Sequence, residues 1–132
     1  MLPRTPRFLL AFSSLLSAAG GALHAAAFGK ALPAISASNL PRVYGGSSKA
    51  LWLADSAVLF IVAAVFGLIA IRPSTATRPI VMLVALIPAA TAVLIYTFLG
   101  NFFAGHILVA IAALALFAGL QFPGAVTGRT VQ

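Results

Sequence analysis

Apolar residues in this chain gather into four long runs, 8–29, 50–71, 79–100 and 102–122, rather than into short alternating stretches. Each run is close to the roughly 20 residues a helix needs to cross the hydrocarbon core of a bilayer. A helix pairs its own backbone groups, whereas an open sheet edge in lipid leaves N–H and C=O groups without partners. The pattern therefore predicts helices, and short connections make sequence neighbours antiparallel. The expected fold is all-α and integral to the membrane: a single domain of four transmembrane helices in an up-down-up-down bundle.

The polar interruptions refine this outline. Residues 30–49 form the longest connection, with Pro33, Pro41 and the pair Gly45-Gly46, and read as an outer loop or a lid over that end of the bundle. Within it, 33–38 is expected to form a short interfacial helix with Leu32 and Ile35 dipping into lipid. Ser47 or Ser48 would cap the second helix. Pro79 suits a first helical turn. Pro88, in mid-span, removes the N–H that would bond the Val84 carbonyl and predicts a kink, with Thr91 or a neighbouring helix answering that carbonyl. Gly100-Asn101 marks a short hairpin, and 123–132 reads as a disordered tail.

The first run has two readings. Arg4 and Arg7 before an apolar stretch, with Ala25, Ala26 and Ala27 after it, resemble a cleavable secretory signal. Against that, Ser13, Ser17, Gly20, Gly21 and His24 fall on one helical face, a small-residue stripe suited to close helix packing.

Composition agrees with lipid as the solvent, since 62% of the 132 residues are hydrophobic and 7% are charged, where a soluble domain carries about 25%. The net charge of +7 comes from Lys and Arg outside the apolar runs, with no basic-aromatic patch for nucleic acid. Arg4, Arg7, Arg72, Arg78 and Arg129 lie on one side of the predicted bundle and Lys30, Arg42 and Lys49 on the other. The positive-inside rule then expects a bacterial-type inner membrane protein with both termini cytoplasmic. There is no Cys, which excludes disulfides, thiolate chemistry and Cys-ligated metals or clusters.

Candidate chemistry centres on Asp55, the only acidic residue of the chain. A carboxyl group in an apolar helix is costly and marks a functional hypothesis by default. With the predicted boundaries, His24, Asp55, Tyr96 and His106 each fall roughly 6–8 Å inside the outer end of their helix. They are the candidate site, and three roles are open to them. They can form a hydrogen-bond network that fixes helix register. Asp55 with a histidine can act as an acid/base pair in an isomerase or hydrolase working on a small apolar substrate. Alternatively, His24 and His106 can supply axial ligands to a haem between the first and fourth helices; no other metal site is expected. Trp52 reads as an interfacial anchor and Asn101 as a turn residue.

The strings SNLP (38–41), LWLADS (51–56) and LGNFFAGH (99–106) are the most distinctive. The chain as a whole resembles small bacterial four-helix integral membrane proteins to which no function is attached. Small multidrug exporters place a carboxylate in their first helix, which 8–29 lacks. The filter motifs of the small fluoride channels are absent, and without Cys there is no thiol chemistry of the vitamin K reductase type. The expected role is an accessory or ligand-binding membrane subunit with a polar pocket near the outer face. Its expected partners are the bilayer, a larger membrane complex or further copies of itself, and a small apolar ligand.

Overall fold

The computed structural model describes residues 4–122. Four helices account for nearly all of them: α1 (Arg4–Ala37), α2 (Arg42–Ile71), α3 (Arg78–Leu99) and α4 (Phe103–Leu120), with one 3-10 turn at Pro73–Thr75. All four are long and apolar enough to cross a membrane, which makes this a multi-pass membrane protein built as a four-helix bundle. Leu15, Phe60, Ile61, Leu83 and Phe117 are exposed on its outside, as lipid solvation permits and water would not.

The helices are ordered α2, α1, α4, α3 across the bundle, because α1 packs on both α2 and α4 while α2 and α3 touch only slightly. The stripe on α1 explains its central place. Ser13, Ser17 and Gly21 are buried, and small side chains let backbones approach closely where no hydrophobic drive exists between helices. Ser14 Oγ donates to the Ala63 carbonyl of α2 at 2.7 Å, and Ser13 Oγ reaches the Ile111 carbonyl of α4 at 3.4 Å. Ser17 Oγ returns to the Ser13 carbonyl of its own helix at 2.8 Å. Leu10, Phe66, Val81 and Ile111 fill the core. Arg7 Nε donates to the Ala70 carbonyl at 2.9 Å, capping the C-terminus of α2, where a cation also meets the negative end of the helix dipole.

The connection at 30–49 differs from expectation. No loop or lid covers it: α1 runs on to Ala37 and α2 starts at Arg42, leaving a turn of a few residues between them. Pro33 sits inside α1, and Pro41 is the N-cap residue of α2. The Ala- and Ser-rich sequence continues the helix, and a proline preceding Arg42 suits a helix start rather than a break. Ser48 Oγ bonds the Tyr44 carbonyl inside α2, so neither Ser47 nor Ser48 is its cap. Around Pro88 the helix α3 is uninterrupted, and Thr91 Oγ1 donates to the Ile87 carbonyl at 3.0 Å, not to that of Val84. The expected tail 123–132 lies outside the described residues.

Candidate functional site

The four polar candidates assemble as two separate pairs, one in each helical hairpin. In the α1–α2 hairpin, His24 Nε2 lies 3.5 Å from Asp55 Oδ2, with the two side chains 30% and 35% exposed. Trp52 completes this group. Its ring stacks on the imidazole, with centroids 4.7 Å apart and planes 14° from parallel. Its indole N–H donates to the His24 carbonyl at 2.8 Å. Trp52 and Asp55 are three apart and share a helical face, so one turn of α2 holds the imidazole both from its flat side and from its edge. The interfacial-anchor reading of Trp52 missed this contact, although the three-residue spacing to Asp55 was visible in the sequence.

In the α3–α4 hairpin, the Tyr96 hydroxyl lies 2.5 Å from His106 Nδ1. Gly105 makes the pair possible. A Cβ there would meet the Tyr96 ring at 2.7 Å, so only glycine lets the aromatic ring lie against α4 beside its partner. The Gly100 backbone, at φ +68, turns the chain between the two helices in a region that glycine enters without steric cost. Asn101 is exposed in that turn.

The pairs do not meet. Among the described residues no side-chain hydrogen bond, ion pair or ring contact links His24 or Asp55 to Tyr96 or His106. The register of α1 against α4, set by Ser13 and Ile111, gives the reason. Extended along two antiparallel helices, it places His106 level with Ala18, about 9 Å in depth from His24. The haem alternative thus loses the shared depth on which it rested. The two hairpins are staggered: α1 and α2 run on beyond the Gly100 turn by roughly 20 Å. On this projecting part Val43, Tyr44 and Leu51 are exposed, and a Cβ added at Gly29, Gly45 or Gly46 would meet nothing within 4 Å.

A further feature lies on α3 and α4. Ala89, Ala92, Val93, Tyr96, Val109 and Ala113 help to line an open apolar groove of about 300 Å³. The groove exists only through the pairing of the two helices.

No known protein family, curated protein or solved structure matches this chain.

Proposed function

We propose that the protein is a non-enzymatic accessory or ligand-binding subunit of a bacterial-type inner membrane, with both termini cytoplasmic. The observation that carries this reading is the projecting end of the α1–α2 hairpin. It presents apolar side chains and unpacked glycines on a helix pair that nothing else in the chain covers among the described residues. Small residues on an exposed helix face allow another helix to approach closely. Lys30 and Lys49 lie within this region and suit the level of anionic headgroups. The polar pairs meanwhile form within their own hairpins, as a register-fixing network requires.

Purification in mild detergent tests the proposal. The chain should migrate in an assembly larger than the monomer, and Val43→Lys with Leu51→Lys should release it as a folded monomer. A wild-type chain that runs alone, at native expression level, would sink the accessory reading. One observation favours a second reading: the His24–Asp55 pair is partly open, as an acid/base pair acting on a small apolar substrate must be. That enzyme would keep activity as an isolated chain and lose it with Asp55→Asn.

A further inference from the structure

The ligand-binding half of the reading above can be made specific, and the inference rests on it. We infer that the α3–α4 groove holds one acyl chain of an ester-linked phospholipid, with the ester carbonyl accepting a hydrogen bond from His106 Nε2–H.

The groove and the His–Tyr pair belong to one surface. On α3, Tyr96, Val93 and Ala89 follow at three- and four-residue intervals, and on α4, Val109, Ala113 and Leu116 do the same. Such intervals stack side chains on one helical face, and His106 lies one turn beyond Val109 on that face. An apolar channel between two helices thus ends at Tyr96 and, one turn on, at His106. Its occupant must be apolar along its length and polar at that end.

The dimensions agree with a lipid. From Ala89 to Tyr96 the groove runs for about 10 Å, within the roughly 15 Å that one leaflet contributes to the hydrocarbon core. Helix α3 has 22 residues and α4 has 18, so this hairpin spans about 27–33 Å and its turn lies near the hydrocarbon boundary. His106, in the first turn of α4, is then at the level of glycerol ester groups. The lining residues Val93, Val109 and Ala113 are exposed on the bundle's outside, so a chain enters sideways from the bilayer.

The Tyr96 contact decides the polarity of the headgroup contact. A phenol is the better acid and an imidazole nitrogen the better base, so the Tyr96 hydroxyl donates to Nδ1. A neutral imidazole accepting at Nδ1 carries its proton on Nε2. No side-chain hydrogen bond to Nε2 occurs among the described residues. The free N–H calls for an acceptor oxygen, and an ester carbonyl is the acceptor that lipid supplies at this depth.

The test titrates the purified full chain with dioleoyl phosphatidylcholine and with its ether-linked dialkyl analogue, which lacks the carbonyls. Bound lipid is read by native mass spectrometry. The wild type should hold one ester lipid about three- to tenfold more tightly than the ether lipid, the factor for one hydrogen bond. His106→Phe should keep the lipid and lose the preference, and His106→Gln, which retains an N–H donor, should restore part of it. Ala113→Phe should fill the groove and abolish stoichiometric binding of both lipids. Ala90→Phe, an exposed position outside the groove, should bind as the wild type does. Equal affinity of the wild type for both lipids would overturn the carbonyl contact, and so the inference. Equal behaviour of the Ala113 and Ala90 variants would show an adventitious additive only. Either failure leaves the assembly expected in mild detergent untouched, so it is distinguishable from failure of the accessory reading.

Discussion

Asp55 is the residue whose replacement says most about the role of the polar groups. It faces His24 at 3.5 Å, and the imidazole is held in place by Trp52. Asp55→Asn keeps an acceptor in the same place and removes the charge, so stability in detergent should stay within about 0.5 kcal/mol of wild type. Asp55→Leu strands the imidazole edge and should cost about 1 kcal/mol, the low end for an unmet polar group, since the pair is only partly buried. Chemical denaturation followed by Trp52 fluorescence reads both. A Leu variant as stable as wild type would show that the pair does not fix helix register. An Asn variant that folds normally yet loses the biological activity would favour the acid/base reading, because an amide cannot exchange the proton.

At the scale of the elements, the hairpins are joined by glycines that differ sharply in their surroundings. Gly21 is pressed against Leu59 and the Ser56 carbonyl, and Gly105 against the Tyr96 ring, whereas Gly45 has open space. Gly105→Ala must displace the Tyr96 ring, since a Cβ would sit 2.7 Å from it. It should destabilise by about 1–3 kcal/mol, as overpacking does, and break the contact to His106. Gly45→Ala, inside α2 and unobstructed, should stabilise by about 0.5–1 kcal/mol through helix propensity. Thermal or denaturant midpoints of the two variants should therefore move in opposite directions. If both move the same way, the packing of α3 on α4 at Gly105 is not as described.

For the whole molecule, orientation decides which compartment the projecting hairpin enters. Five basic residues on one side against three on the other predict that alkaline-phosphatase fusions after Gly46 are active and those after Ser74 inactive. The reverse pattern would place the projecting end in the cytoplasm. The order α2, α1, α4, α3 also bears on the first run of the chain. Leu10, Ser13, Ser17 and Gly21 are buried on a helix that packs on both α2 and α4, so α1 is one of the two inner helices, a position that signal-peptide character alone does not account for.

Four spans, their type and their antiparallel order were legible in the sequence, because lipid permits one economical backbone solution to an apolar run of about 20 residues. The buried stripe of Ser13, Ser17 and Gly21 was legible too, since helical periodicity follows from spacing alone. The ends of α1 and α2 were not. Prolines and glycines between 29 and 46 looked like loop, yet Pro33 is carried inside a helix and Pro41 opens one. Local propensity is weak enough there for the continuing helices to override it. Counting residues from helix ends put His24 and His106 at one depth. The stagger of the hairpins, set by Ser13 on Ile111, separated them. Depth along a bundle axis is a relation between helices, as is the groove between α3 and α4. Both were therefore decided by tertiary packing, because no single segment carries the information that says how far it slides along its neighbour.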